Sequence, residues 1–234
     1  MTAAAPKGQN VSTAVMQRRV EPHDSLDDFP TPPWATRALC EWLKISAECA
    51  EEHPLMLAAR EPCANRGHMV RVLCEYFATV DAADVHDYGA GFPVRDYLFG
   101  PDPELVDWTV MNPPFRLAEQ FIQRGLRTSR HGIAVIVRSA FLEGVGRYRD
   151  LFSVMPPSDV LQFTERVPMH RGKLAGPGGT TATAYCWIIW RSRYQGSVTR
   201  FRWIAPCRGN LERDGDYPAE PGEFAPVDAG AVLI

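Results

Sequence analysis

The sequence predicts a domain of the α/β class, with a mostly parallel sheet that helices cover on both faces. Short apolar runs alternate along the chain with segments in which apolar residues recur at helical spacing. The most apolar run, Gly132–Val137, is typical of a central parallel strand that is buried on both faces. Two later strand-like runs are separated by a long glycine-rich segment, which predicts an antiparallel pair with a long connection.

The size and composition of the chain are those of one globular domain with appendages. Its 234 residues are 45% hydrophobic and 23% charged, which excludes a wholly disordered chain. No apolar run approaches the roughly 20 residues of a membrane helix, and the first residues lack the apolar stretch of a secretory signal. The six cysteines are scattered without a C-x-x-C pair, so we expect a reduced, cytoplasmic protein without a metal site.

Composition also divides the chain into three parts. Residues 1–27 are polar and without pattern, which predicts a flexible N-terminal tail. Residues 206–234 are acidic and rich in proline and glycine, which predicts a loosely packed C-terminal tail. The folded domain is therefore expected over residues 28–205.

Charge is distributed unevenly along the chain. The formal net charge is −3, which is unlike a protein that coats nucleic acid by bulk charge. Residues 116–209, however, carry 15 Lys or Arg and only 5 Asp or Glu. Fourteen of those cations are arginines, which suit forked contacts with phosphates and bases. This pattern predicts one face that meets a polyanion, with solvated helix faces as the alternative.

The amino-terminal half of the domain alternates helix and strand. Thr31 reads as an N-cap, and the prolines that follow it suit a first helical turn, so a helix is expected through Leu43. Helical spacing returns at residues 69–77. Apolar runs predict strands at residues 54–60, 78–85 and 94–98.

The second half continues the alternation. Helices are expected at residues 117–126 and 147–154. Strands are expected at residues 107–111, 132–137, 159–166 and 181–190, which brings the predicted total to seven. The segment Met169–Gly179 is too long and too rich in glycine for a tight hairpin turn, and we expect a flexible loop there.

Residues that can bind a ligand follow the predicted strands. In an open α/β sheet the ligand lies beyond the carboxyl ends of the strands. The loop Glu61–Gly67 follows the first strand, and its Asn65 and Gly67 tolerate the left-handed backbone of a close approach. Asp84, after the second strand, is placed to bind ribose hydroxyls, and Asp96 is a third acid of this kind. A plain turn, a surface acid and an N-cap are the respective alternatives.

The strongest chemical signal is Asn112-Pro113-Pro114-Phe115, directly after an apolar strand. Two consecutive prolines restrict the backbone and hold the asparagine side chain and the carbonyls still. The Asn112 amide oxygen and the Pro113 carbonyl can accept both hydrogens of a planar NH₂ group and so free its nitrogen lone pair for attack. Phe115 supplies a flat face for the ring that carries the NH₂. A proline turn that only ends the strand is the alternative.

With these motifs, residues 28–190 resemble the class I S-adenosylmethionine-dependent methyltransferases that modify amino groups, especially the DNA adenine-N6 methyltransferases of phages and bacteria. The resemblance implies a mostly parallel, seven-stranded Rossmann-like sheet with helices on both faces and a terminal antiparallel strand pair. It implies S-adenosyl-L-methionine as the cofactor and Asn112, Pro113, Pro114 and Phe115 as the catalytic signature. One departure is Asn65, which stands where the family usually has glycine.

The resemblance also implies which residues meet the cofactor. The segment from Phe29 to Pro32 would line its methionine end, the loop Glu61–Gly67 would cradle it, Asp84 would hold the ribose and Asp96 the adenine amino group. The expected cofactor-binding residues are Phe29, Thr31, Pro32, Glu61, Cys63, Asn65, Gly67, Met69, Asp84, Val85, Asp96 and Tyr97.

The implied reaction is methylation of the N6 amino group of an adenine flipped out of DNA, in the cytoplasm of a bacterial or phage-infected cell. The expected DNA contacts are Arg147, Arg149, Arg166, His170, Arg171 and Lys173. Two enzyme alternatives stay open, because the same tetrapeptide occurs in enzymes that methylate RNA bases or the glutamine of release factors. A non-catalytic DNA-binding module with the same fold is the alternative from another class. The target sequence and the oligomeric state do not follow from the sequence.

Overall fold

The architecture is an α/β sheet covered by helices on both faces, as predicted. It is seen in a computed structural model that describes residues 26–47, 53–194, 198–217 and 232–233. The helices are α1 (Pro33–Ser46), α2 (His68–Tyr76), α3 (Ala118–Arg127), α4 (Val145–Arg147) and α5 (Arg208–Leu211). The strands are β1 (Ala58–Glu61), β2 (Thr79–Ala82), β3 (Val106–Met111), β4 (Ser129–Arg138), β5 (Asp159–Phe163), β6 (Met169–His170), β7 (Lys173–Leu174), β8 (Tyr185–Arg191), β9 (Arg200–Ile204) and β10 (Val232–Leu233).

The main sheet has the order β10-β2-β1-β3-β4-β8-β5-β9. Strand β8 runs antiparallel to both of its neighbours, and every other neighbouring pair is parallel. The chain moves outward from β1 to β2 on one side and from β3 to β4 on the other. A topological switch point therefore lies between β1 and β3, where such sheets bind ligands.

Two hydrophobic cores fix the helices to the sheet. On one face, α1 and α2 pack on Ala59, Val110 and Trp187 among others. On the other face, α3 packs on Met111, Ile133 and neighbouring strand residues. Strand β4 contributes alternate side chains to both cores, which confirms the prediction of a central strand buried on both faces. Among the described helices, none has the length and hydrophobicity to cross a membrane.

The strand count differs from the predicted seven. The segment 94–98 is not a strand, because it makes only an isolated bridge between Asp84 and Val94. The place beside β2 is occupied instead by β10, a two-residue strand far along the chain. The structure also has β9, which sequence patterning missed because the side chains of this edge strand are mostly exposed and show no apolar run. The antiparallel pair β5 and β8 exists, but β9 lies outside it as the edge strand.

Element ends also differ from the expectations. A 3₁₀ turn replaces the first part of the strand expected at 54–60. The helix expected at 147–154 is a short α4 that continues as a π-helical turn, Tyr148–Phe152. The flexible loop expected at 169–179 contains a small hairpin, β6–β7, whose turn residue Gly172 donates its N–H to the Asp28 carbonyl over 2.8 Å.

The two predicted tails are only partly described. Residues 1–25 of the first tail and residues 218–231 and 234 of the second lie outside the described residues. Within the second tail, Asp216 accepts hydrogen bonds of 2.7 and 2.8 Å from Arg37 of α1, and both residues are buried. Residues 208–217 thus pack against the domain.

Candidate active site

A cleft opens at the switch point, outside the carboxyl ends of β1, β2 and β3. It holds about 640 Å³ of empty space and is open to solvent. Nine of the twelve expected cofactor-binding residues and two of the four expected catalytic residues share its wall, together with residues that were not predicted. The predicted residues that line it are Phe29, Thr31, Glu61, Cys63, Asn65, Met69, Asp84, Val85, Tyr97, Asn112 and Pro114.

The orientation of the Asn112 side chain is fixed by its hydrogen bonds. Its Nδ2 donates to the Phe29 carbonyl over 2.9 Å and to Thr31 Oγ1 over 3.0 Å. Because a carbonyl oxygen can only accept, the atom facing Phe29 must be the amide nitrogen. The amide oxygen therefore points away from the segment Phe29–Thr31 and remains an acceptor for another group.

The tetrapeptide also separates the cleft from a second, smaller cavity. Asn112 and Phe29 line both cavities, and the second is open to solvent, with about 360 Å³ of empty space when the solvent at its mouth is included. Its wall includes the Phe115 ring, which is 38% exposed. We call this space the acceptor cavity; its wall is formed by Asp27, Phe29, Asn112, Pro113, Phe115, Ile136, Val137, Arg138, Met169 and Tyr185.

The loop after β1 is built around Asn65. This residue has a φ of +49°, in the left-handed region that asparagine tolerates better than most residues. Its backbone N–H donates to Asp84 over 2.8 Å, and its side chain donates to Asp28 over 2.8 Å. Asn65 is thus held by two acids, one of which follows β2.

Two acids at the cleft carry raised pKa values. Burial raises the pKa of Glu61 well above its ordinary value, and the charge of Asp84 raises it further. The Cys63 N–H opposes this shift, yet neither oxygen of Glu61 has a well-formed hydrogen bond within the described residues. Burial also raises the pKa of Asp84, against the hydrogen bonds from the Asn65 and His86 N–H groups. Glu61 is therefore a fully buried carboxyl group with unused acceptor capacity beside the cleft.

His68, at the start of α2, lines the cleft and is held neutral. Its Nδ1 lies 3.1 Å from Arg71 Nη2, and since a guanidinium only donates, Nδ1 is the acceptor and Nε2 carries the proton. Burial, together with the charges of Arg71 and Arg66, lowers the pKa of His68 to about 3.

Replacing His68 by glutamine should reduce the loss of unfolding free energy that accompanies a fall in pH below about 6.5. Below about pH 6.5 the unfolded chain binds a proton at His68, whereas the folded protein binds it only at about pH 3, because the pKa is lowered. Stability therefore falls as the pH drops through this range, by up to about 1.4 kcal/mol per pH unit for one group. Urea unfolding of both proteins between pH 7 and 4 measures the slope, and parallel curves would contradict the assignment.

Some predicted residues lie away from the cleft. Asp96 lines a separate cavity with Arg60 and Phe99, and its Oδ1 accepts the Leu98 N–H over 2.9 Å. Gly67 and Pro32 line neither cavity; Gly67 is the left-handed N-cap of α2, at a φ of +80°. Pro113 and Phe115 line the acceptor cavity and not the cleft.

The residues predicted to contact DNA fall into two groups. Arg147 is engaged within the protein: it donates to the Phe141 carbonyl over 3.0 Å, and its guanidinium lies over the Phe141 ring. Arg149 is exposed and pairs with Asp150 over 2.6 Å.

The second group lies on or before the hairpin β6–β7. Arg171 and Lys173 are exposed, Arg166 is exposed before the hairpin, and His170 is half-buried. Met169 joins this group to the acceptor cavity, since its Sδ lies 4.0 Å from Asn112 Nδ2. The hairpin thus contributes Met169 to the acceptor cavity and exposes Arg171 and Lys173 to solvent.

Sequence reasoning missed several residues of this region, among them Asp28, Arg138 and Met169. Asp28 bonds the Asn65 side chain and, through its carbonyl, Gly172 of the hairpin. Arg138 and Met169 line the acceptor cavity. Arg138 directly follows the predicted strand 132–137, so the rule that ligands bind at carboxyl ends of strands could have found it. No sequence signal indicates Met169, which depends on how the hairpin folds back.

No protein-family model matches the chain, and no curated protein matches it in sequence. Solved structures with the same fold are found. One is a modification subunit of a putative type I restriction enzyme from Vibrio vulnificus, with a TM-score of 0.53 and 14% identity over 79% of this chain and 48% of the other. Another is a putative class I S-adenosylmethionine-dependent methyltransferase from Listeria monocytogenes, with 0.54 and 12% identity over 77% of this chain and 67% of the other.

A third is a putative RNA methyltransferase from Pyrococcus horikoshii, with a TM-score of 0.53 and 13% identity over 73% of this chain and 89% of the other. The chain therefore has the fold of class I S-adenosylmethionine-dependent methyltransferases. It spans about half the length of the Vibrio modification subunit.

Proposed function

We propose that this chain, which has the fold of class I S-adenosylmethionine-dependent methyltransferases, transfers a methyl group from S-adenosylmethionine to the N6 amino group of an adenine flipped out of DNA. The observation that carries the proposal is the orientation of Asn112. Its amide nitrogen is occupied by Phe29 and Thr31, so its oxygen is left to accept a substrate amino group. The residue stands between the cleft and the acceptor cavity, where a donor and an acceptor of a methyl group would meet.

The residues around the cleft fit S-adenosylmethionine. The buried carboxyl group of Glu61 has unused acceptor capacity, as a site for a cationic ammonium group requires. Asp84, after β2, suits ribose hydroxyls, and Val85 beside it is an apolar wall residue that is 52% exposed. Phe29, Thr31 and Asn112 close the cleft on the side of the acceptor cavity.

The cofactor supplies an electrophilic methyl group on a sulfonium, so the protein needs neither a covalent intermediate nor a matched general base. What the chain contributes is position. Asn112 Oδ1 and the Pro113 carbonyl accept the two hydrogens of the substrate NH₂, which localises the nitrogen lone pair and points it toward the cleft. Phe115 lies against the base, and the two prolines keep this corner rigid before the substrate arrives.

Four features favour DNA as the substrate. The segment from Phe29 to Pro32 resembles that of the DNA enzymes, and the basic section of the chain supplies cations of the kind that bind phosphates. The hairpin exposes Lys173 and Arg171 and contributes Met169 to the acceptor cavity, which supports a path for the backbone of a flipped nucleotide along these cations. The Vibrio neighbour is a modification subunit of a restriction enzyme, whereas the Pyrococcus neighbour is a putative RNA methyltransferase, so RNA is the second candidate.

The proposal is tested by incubating the purified protein with methyl-labelled S-adenosylmethionine and, in parallel, DNA, RNA and a release factor. Label is expected in DNA, at N6 of adenine after nucleoside analysis, and sequencing of that DNA identifies the site. Label only in RNA or in protein would contradict the substrate. Calorimetry that detects no cofactor binding to folded protein would contradict the enzyme and favour a DNA-binding module.

Replacing Lys173 by alanine should weaken DNA binding without changing sequence preference. An exposed lysine that contacts one phosphate contributes a salt-dependent term, so the slope of log affinity against log salt should fall by about 1. Arg130 provides the matched control, because it is also an exposed cation. It lies at the opposite end of β4 from Arg138, which lines the acceptor cavity, and strand geometry separates the two residues by about 25 Å. Equal losses for the Lys173 and Arg130 variants would show that the hairpin has no special role.

A further inference from the structure

The acceptor cavity contains an arginine that has no polar partner among the residues that the structure describes. Arg138 ends β4 and lines the cavity, and its guanidinium carbon lies 5.1 Å from the centroid of the Phe115 ring and 5.9 Å from that of Phe29. Within the described residues, its side chain has neither a hydrogen bond nor an ion pair. Other enclosed arginines are paired: Arg37 with Asp216, and Arg60 with Asp81.

An unpaired guanidinium in an enclosed position has unused donors. Arg138 is half-buried, so water satisfies its N–H groups less well than at an open surface. Two aromatic rings hold the group at the wall of the cavity through cation–π contacts. The geometry is that of a donor kept ready for a group that enters the cavity.

The polar groups of the cavity form a pattern when they are taken together. Asp27 and Tyr185 are polar residues of the wall. The same wall contains Asn112 and Pro113, whose amide oxygen and carbonyl are acceptors, and Arg138, which is a donor. The complementary ligand has an NH₂ group next to an atom with a free lone pair. Adenine has this arrangement at N6 with N1 and at N6 with N7, and enzymes that flip a base read its Watson–Crick edge, which carries N1.

A phosphate is a poorer fit to this position. Ile136, Val137 and Met169 line the cavity and would strip water from a phosphate without replacing its hydrogen bonds. Asp27 also lines the cavity, and its carboxylate would repel a second anion. A neutral ring that can lie against Phe115 meets neither obstacle.

We propose that Arg138 is a specificity-determining residue that donates a hydrogen bond to N1 of the flipped adenine while Asn112 holds its N6 amino group. The inference rests on the proposed function and adds the recognition of the base edge to it. Arg138 does not line the cofactor cleft, so its role concerns only the methyl acceptor.

The experiment is a cycle of one substitution in the protein and one in the base. The substrates are synthetic duplexes with the methylated site, carrying adenine, 1-deazaadenine or 7-deazaadenine at the target position. 1-Deazaadenine keeps the amino group and loses N1, whereas 7-deazaadenine loses a nitrogen on the other edge and is the matched control. The proteins are wild type and Arg138→Met, which keeps an unbranched apolar stem and removes the donors.

For adenine, kcat/KM of Arg138→Met should be about 10- to 100-fold lower than wild type, the range of one hydrogen bond to a charged group. The wild type should lose a similar factor on 1-deazaadenine, and Arg138→Met should lose much less on that change. Any effect of the analogue on duplex stability is common to both proteins and cancels in the cycle. The 7-deazaadenine substitution should affect both proteins equally.

Three results would overturn the proposal. Independent losses, in which both proteins drop by the same factor on 1-deazaadenine, would place Arg138 away from N1. A higher affinity of Arg138→Met for adenine DNA would mean that the guanidinium only occupies the stacking position on Phe115. A wild type that methylates no adenine in DNA would overturn the proposed function as well. Calorimetry checks the fold, since Arg138→Met should bind S-adenosylmethionine as tightly as the wild type.

Discussion

Replacing Asn112 by alanine should lower methyl transfer by about 10³-fold, because it removes an acceptor that acts on the reacting nitrogen. The structure adds a second consequence. The Nδ2 group bonds the Phe29 carbonyl and Thr31 Oγ1, so alanine also frees the segment that closes the cleft. Cofactor affinity should therefore fall several-fold, by the loss of two hydrogen bonds of ordinary strength. Single-turnover rates and calorimetry measure the two effects separately.

The control for the Asn112 variant is Thr31→Val. This change removes one acceptor of Nδ2 and leaves the bond to the Phe29 carbonyl and the Asn112 oxygen in place. It should reproduce the small loss of cofactor affinity and only a minor part of the loss of rate. If Thr31→Val is as inactive as Asn112→Ala, the asparagine acts by holding the segment Phe29–Thr31 and not by accepting the substrate.

Replacing Glu61 by glutamine should stabilise the free protein and weaken cofactor binding. Burial holds the pKa of Glu61 above its ordinary 4.5. As the pH rises above 4.5, the unfolded chain releases a proton that the folded protein keeps, so Glu61 lowers stability progressively up to its folded pKa. Glutamine does not titrate, and the gain in stability over wild type should grow with pH by up to about 1.4 kcal/mol per unit.

The same substitution removes the negative charge that a cationic ammonium group would meet. Cofactor affinity should fall about 10- to 100-fold, as for one charge-assisted hydrogen bond. Urea unfolding between pH 4 and 8 and calorimetry with S-adenosylmethionine measure the two effects. A variant that is more stable but binds the cofactor normally would leave Glu61 without a role in the cleft.

Asp84→Asn is the matched comparison for Glu61→Gln. Asp84 lies beside the same cleft, but its oxygens accept hydrogen bonds, whereas those of Glu61 have no well-formed one within the described residues. Both of its oxygens accept backbone N–H groups, from Asn65 and His86. An asparagine would turn an NH₂ group toward one of these donors, so the variant should be less stable than wild type. At a given pH the two amide substitutions should therefore change stability with opposite signs, while the raised pKa values of both acids give the two variants the same trend with pH.

Sequence patterning predicted those helices and strands whose apolar composition or residue spacing is distinctive by itself. The strand at 132–137 is buried on both faces, so its composition alone identifies it. The strand predicted at 94–98 was wrong because a short apolar run does not specify its hydrogen-bond partners. The position beside β2 in the sheet is occupied by β10. Strand β9 was missed for the opposite reason, since exposed edge residues such as Trp203, which is 71% exposed, carry no burial pattern.

The sequence by itself determined the α/β class, the order of most helices and strands, and the proline corner at Asn112, because each depends on local periodicity or on backbone restriction by nearby residues. Only the tertiary structure decided that Phe29 and Thr31 orient the Asn112 amide and that Asp28 joins the loop of Asn65 to the hairpin. It also decided that Arg138 lies in the acceptor cavity against Phe115, without a polar partner in the described part of the chain. These contacts join residues that are far apart in the chain, and the direction of a hydrogen bond follows from how strands pair and helices pack, which residue spacing does not encode.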